Sequence, residues 1–114
     1  MAEAISTQRV TEWLDGCDWD FHERQFRVPY RITTHFGNWL DRELRLTAGS
    51  VLDVGAGMGA TLYHLSRRFP RLSLTGVEIN PECVRRGTMR LAALGANRCT
   101  LRCGDLFAPP AEWV

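Results

Sequence analysis

Three short apolar runs, each handing over to a polar or amphipathic stretch, set the pattern of the second half of the chain. Val51, Leu52 and Val54 stand close together, as in a strand covered on both faces. A glycine-rich turn follows, and the spacing from Ala60 predicts a helix that Pro70 stops near Phe69. Leu72-Ser73-Leu74-Thr75-Gly76-Val77 predicts a second strand with Glu78 at its carboxyl end. Asn80-Pro81-Glu82 then supplies a cap, a proline for the first helical position and an acid in the first turn, so a helix should run to about Leu94 and end at Gly95. Cys99 to Cys103 predicts a third strand, and Gly104-Asp105-Leu106-Phe107 turns away before Pro109-Pro110 breaks regular structure. Strand, helix, strand, helix, strand is the pattern of parallel βαβ units in an α/β fold.

The first half is less regular. Ile5, Val10, Trp13 and Leu14 give an amphipathic helix from about Ala4 to Leu14, closed by Asp15-Gly16. Cys17-Asp18-Trp19-Asp20-Phe21 reads as a polar-aromatic connector without a regular period. Tyr30, Thr33, Phe36, Gly37, Leu40 and Leu44 recur at helical spacing, which predicts a helix from Pro29 to about Leu46 with the proline at its first position. Residues 1–48 thus form an amino-terminal helical segment, and residues 49–114 the portion built on strands.

Composition bounds this picture. A chain of 114 residues, 45% hydrophobic and 24% charged, has material for one modest core. No apolar run approaches the roughly 20 residues that span a bilayer, and Met1-Ala2-Glu3 opens no secretory signal, so the expected compartment is the cytosol. The formal charge of +1 points to no polyanionic partner. The arginines beyond residue 60 sit at helical spacings that a solvated face explains, and nothing calls for nucleic acid. Cys17, Cys83, Cys99 and Cys103 make no Cys-x-x-Cys pair, so neither a disulfide framework nor a metal site is expected.

The chemistry concentrates at Gly55-Ala56-Gly57-Met58-Gly59. Glycine permits positive φ and lets a ligand lie against the backbone, while the helix that follows offers unpaired N–H groups. Gly55, Gly57 and Ala60 would satisfy a loose dinucleotide fingerprint, which leaves an NAD-dependent oxidoreductase fragment as one alternative. Asp53 argues against it, because a carboxylate two residues before the first glycine would repel a pyrophosphate. A phosphate-free cofactor with an ammonium group suits that carboxylate better, and S-adenosylmethionine is such a molecule. At Asp53, Gly55, Gly57 and Gly59 the chain resembles the class I S-adenosylmethionine-dependent methyltransferases, whose first motif is an acid-x-Gly-x-Gly-x-Gly run after a strand.

The resemblance implies a Rossmann-like parallel sheet with helices on both faces, of which this chain carries the first three strands. Asp53, Gly55, Ala56, Gly57 and Gly59 would then hold the methionine end of the cofactor. Glu78, 19 residues after Gly59, can accept hydrogen bonds from both ribose hydroxyls, a role shared with dehydrogenases. Ile79 would pack on the adenine face, and the resemblance gives Asp105 the adenine amino group and the Leu106 N–H a ring nitrogen. His22, Tyr30, Arg31 and His35 read as surface or packing residues, His64 as a satisfied histidine, and Trp13, Trp19, Trp39 and Trp113 as packing residues. Methyl transfer from a sulfonium needs mainly alignment of donor and acceptor, so no catalytic residue is named. The acceptor is unidentified, with a small molecule as the default. A cofactor-binding module without transfer activity is the other alternative. In the family's strand order the first strand is central, so here it should be an open edge able to draw two copies of the chain together.

Overall fold

The computed structural model describes residues 17–46, 48–105 and 107–108. The helix expected over 4–14, with Trp13, Leu106 and Trp113, lies outside these residues. Among those described, the elements in chain order are α1 (Trp19–Arg27), α2 (Arg31–Trp39), a π-helical segment Leu40–Leu44, β1 (Gly49–Val54), α3 (Ala60–Arg68), β2 (Leu72–Glu78), α4 (Pro81–Ala93) and β3 (Cys99–Cys103).

The segment read as an aperiodic connector is the start of α1. Asp18 caps it by accepting a hydrogen bond from the Phe21 N–H at 3.1 Å. Trp19, His22 and Phe26 fall at i, i+3 and i+7, one helical face, and Phe26 is buried. The next helix starts later and ends sooner than its periodicity predicts. Tyr30, with φ −59° and ψ 149°, is the cap of α2, and Pro29 stands outside the helix. The chain then widens into the π-helical turn, which Arg45 ends in the left-handed region at φ 49°. The Leu46 N–H donates to the Leu40 carbonyl at 3.0 Å, closing that turn.

The strands form a parallel sheet in the order β1-β2-β3. Val51 pairs with Leu74 and Asp53 with Gly76; Leu74 pairs with Cys99 and Gly76 with Leu101. Those residues share one face, and both α3 and α4 pack against it: Leu62 of α3 reaches Gly76, and Leu91 of α4 meets Leu101 at Gly59. Leu62, Leu72 and Leu74 are fully buried there. The opposite face of β1 is open. Leu52 is 48% exposed and Val54 45%, so the apolar run of β1 is covered on one face rather than two. The reason is topological, since the crossovers from β1 to β2 and from β2 to β3 step across the sheet in one direction and lay their helices on one side.

The tightest approach in this packing is at Gly87, in the middle of α4. A Cβ there would collide with the Met58 carbonyl oxygen and lie 2.5 Å from Leu101 Cδ1. Gly87→Ala should therefore lower stability by about 1–3 kcal/mol through displacement of backbone that cannot move aside. Chemical denaturation would measure this, and loss of the glycine loop's protection from hydrogen exchange should accompany it.

Candidate functional site

The carboxyl ends of the three strands meet around Glu78. Its side chain is 9% exposed, and each carboxylate oxygen accepts a backbone N–H: Oε1 from Gly57 at 3.1 Å, Oε2 from Asn80 at 2.8 Å. One residue thus ties the glycine loop to the cap of α4. Asn80 continues the chain of contacts by accepting from the Glu82 N–H at 3.0 Å. A carboxylate has roughly four acceptor directions, so two remain on Glu78 for other donors.

The loop is held from the same strand. Gly55 and Ala56 both donate to the Val77 carbonyl, at 2.8 and 3.1 Å. Gly55, Gly57 and Gly59 all have positive φ, at 75°, 58° and 89°. At Gly57 this conformation is combined with close approach, because a Cβ there would stand 3.2 Å from His22 Cε1. Gly59 is buried and faces Leu91 and Leu101, so it shapes the turn from within. No side chain caps α3, which leaves its first-turn amides for a ligand.

Asp53 sits on the helix-covered face of the sheet with its register partner Gly76, two residues before Glu78 in β2. It borders a recess of about 330 Å³ between β1, α2 and α3, lined also by Thr33, Phe36 and Thr61. Burial raises its carboxyl pKa above the usual aspartate value. On the other side of Glu78, the Gly104 N–H donates to the Glu78 carbonyl at 3.1 Å, and the Cys103 thiol to that of Ile79 at 3.7 Å. Asp105 follows, half-buried, with its Oδ1 accepting from the Phe107 N–H at 2.9 Å. The structure thus gathers Gly55, Ala56, Gly57, Glu78, Ile79 and Asp105 at one end of the sheet, with Asp53 two residues below.

His22 is the neighbour that sequence reasoning set aside. It lies against Gly57 because α1, which the periodicity did not reveal, crosses the loop. Trp19 beside it carries the Arg86 guanidinium at 4.1 Å from its ring centroid, and Glu23 pairs with Arg90 at 3.2 Å, so α1 is also fastened to α4. His64 is satisfied, with Nε2 2.6 Å from the Gln25 carbonyl. Tyr30 meets Phe21 at 5.8 Å between ring centroids, and Trp39 stacks on Phe36 at the same separation.

A family model described as a methyltransferase domain matches residues 51–113. The chain belongs to that family. It is 43% identical over 61 residues to the 3-hydroxy-5-methyl-1-naphthoate 3-O-methyltransferase of Streptomyces sahachiroi, a match covering 53% of this chain and 17% of that enzyme. A Geobacter sulfurreducens S-adenosylmethionine-dependent methyltransferase, solved with S-adenosyl-L-homocysteine, is 29% identical with a TM-score of 0.53, over 70% of this chain and 34% of that one. A Methanococcus maripaludis protein assigned to the same class of enzymes shares the fold at 17% identity, with a TM-score of 0.63 over 96% of this chain and 48% of its own. The chain therefore spans well under two thirds of each of these relatives.

If the Glu78 carboxylate organises the site before any ligand arrives, its loss should be felt in the free protein. Glu78→Gln keeps the size but turns an NH2 group toward one of the two amide donors. We expect a loss of about 1–3 kcal/mol in unfolding free energy without ligand, measured by urea titration. Unchanged stability would mean that the two amides find other acceptors.

Proposed function

We propose that this chain binds S-adenosylmethionine at the carboxyl end of its sheet and is the cofactor-binding portion of a methyltransferase acting on a small molecule. The observation that carries the reading is the bridged carboxylate of Glu78, fixed by Gly57 and Asn80 with acceptor capacity to spare. Two ribose hydroxyls are the donors it fits. When bound, the cofactor supplies a methyl group already activated by its sulfonium. The chain's own residues bind and orient: the glycine loop and the uncapped start of α3 face the methionine carboxylate, Asp53 the ammonium, Ile79 the adenine face, and Asp105 with Leu106 the adenine edge.

Asp53 separates this reading from a nicotinamide cofactor. Its carboxylate is disfavoured by burial, and a ligand ammonium relieves that cost where a pyrophosphate would add to it. The relative from Streptomyces acts, by its name, on a hydroxynaphthoate, which supports a small acceptor. No helix among the described residues is long and apolar enough to cross a membrane, and the cytosol is the proposed setting. The outer edge of β1, unpaired among the described residues and bordered by the open face that exposes Leu52 and Val54, is the proposed route by which two copies associate.

Calorimetric titration tests the reading. S-adenosylhomocysteine should bind and NAD should not; the reverse preference sinks the proposal. Gly57→Ala should weaken binding about tenfold or more, since a Cβ at φ 58° strains the loop and presses on His22 Cε1 at 3.2 Å, displacing the backbone that meets the ligand. The pH dependence follows from Asp53. A ligand ammonium lowers the aspartate pKa, so affinity is full above the free protein's raised value and falls as pH drops through it. The stability of the free protein runs the other way: an acid with a raised native pKa is less stabilising once ionised, so Asp53→Asn should stabilise at neutral pH while removing the pH dependence of binding. For the β1 edge, sedimentation equilibrium should show a concentration-dependent dimer that Leu52→Lys abolishes.

A further inference from the structure

Three soft donor groups far apart in the chain converge beside the glycine loop. Cys17 lies just before the cap of α1, His22 one turn into that helix, and Cys83 in the first turn of α4. The Cys17 Sγ and His22 Nε2 are 3.1 Å apart, and no two of the three ligand atoms are separated by more than 4.8 Å. Cys83 is buried, and the other two are half-buried. From these positions we propose that Cys17, His22 and Cys83 form a binding site for a thiophilic divalent cation, zinc(II) in the first instance.

The donor chemistry and the spacing both fit. Zinc takes thiolate sulfur at about 2.3 Å and imidazole nitrogen at about 2.0–2.1 Å, which puts neighbouring tetrahedral ligands roughly 3.5–3.8 Å from one another. The Cys17–His22 separation of 3.1 Å falls just short of that value and the 4.8 Å limit on the other pairs lies about 1 Å above it, so small displacements bring the three atoms to ligand spacing. Two thiolates balance the charge of one zinc ion, and each thiol that ligates releases its proton to solvent. A water molecule completes the tetrahedron. Carboxylate-loving cations such as magnesium or calcium are excluded by the sulfur ligands. The spacing that argued against zinc along the sequence has no bearing here, because Cys17 and His22 at the start of α1 meet Cys83 of α4 through packing rather than within one loop.

The site would act as a clamp. Its imidazole is the one that packs on Gly57, and α4 begins at the Asn80 cap that Glu78 holds. Fixing Cys17 and His22 to Cys83 fastens α1 across the loop more firmly than the Trp19–Arg86 and Glu23–Arg90 contacts alone. This inference does not depend on the identity of the cofactor.

The full chain, reduced and freed of metal, can be titrated with cobalt(II) as a spectroscopic substitute for zinc. We expect one equivalent to give thiolate-to-cobalt charge-transfer absorption and tetrahedral d–d bands that zinc then abolishes, with zinc also raising the thermal midpoint. Cys17→Ser and His22→Asn should each remove the charge-transfer band at one equivalent and the zinc-dependent rise in midpoint. Cys99→Ser and Cys103→Ser should leave both intact. An octahedral cobalt spectrum without charge transfer, or the same binding in Cys17→Ser as in the parent chain, would overturn the proposal. So would a Cys17–Cys83 disulfide recovered by mass spectrometry from zinc-treated protein kept under reductant, since the pair would then be a redox couple rather than a ligand pair.

Discussion

The hydrogen bonds from Gly57 and Asn80 to the buried carboxylate of Glu78 are the constraint on which the rest of this structure depends. The loop they hold contains three residues at positive φ, a conformation that only local ties can keep populated. Hydrogen bonds to a charged acceptor are worth about 1.5–3 kcal/mol each, enough to offset the conformational freedom that glycine loses there. Because the same carboxylate also holds the first residue of the α4 cap, the loop after β1 and the helix after β2 cannot move independently. Gly87 adds a second tie by letting α4 lie directly on the Met58 carbonyl.

This coupling sits on the face of the sheet where the crossovers lay their helices, and the packing there reinforces it. Leu62, Leu65, Leu91 and Leu101 converge under the loop, and burying each such side chain contributes about 1.5–3 kcal/mol. The helices α1 and α2 do not extend the sheet's cover to its other face. They pack on α3 instead, α1 through the Gln25 carbonyl 2.6 Å from His64 Nε2 and α2 through the Thr33–Thr61 hydroxyl contact at 3.0 Å, while Asp41 of the π-helical turn pairs with Arg68 at 3.5 Å. The preface therefore belongs structurally to the cofactor side of the sheet, and that is how His22 comes to lie on the glycine loop.

Much of residues 51–103 was legible because each level of the pattern agrees with the next. The periodicity changes from two to about 3.6 where Pro70, Asn80-Pro81 and Gly95 punctuate it, and the observed boundaries of β2, α4 and β3 follow those signals. Where signals conflict, the reading failed. Asp18 was an available cap for α1, but Trp19-Asp20-Phe21 mixes aromatic and acidic residues and masks the face made by Trp19, His22 and Phe26. Pro29 suited a first helical position, yet Tyr30 adopted the cap geometry after it. In β1 a short run of Val51, Leu52 and Val54 cannot distinguish a strand covered twice from one covered once; that depends on which way the crossovers turn. The Cys17–His22–Cys83 cluster had no signal at all in the sequence, since its members meet only through the docking of α1 on α4.

The two carboxylates nearest the loop are treated differently by their surroundings, and the difference bears on how the site would select a ligand. Glu78 is compensated internally, each oxygen receiving an amide hydrogen. Asp53 is shifted chiefly by desolvation, in a recess whose other walls are Phe36, Leu65 and the two threonines Thr33 and Thr61. A carboxylate in such a place carries a standing cost that a cation removes and an anion increases. In the proposed site Glu78 would receive hydroxyl donors, whereas Asp53 would favour a cation over an anion. A cofactor with hydroxyls at one end and a positive charge at the other would meet both conditions, and a dinucleotide, with ribose hydroxyls but an anionic pyrophosphate, only the first.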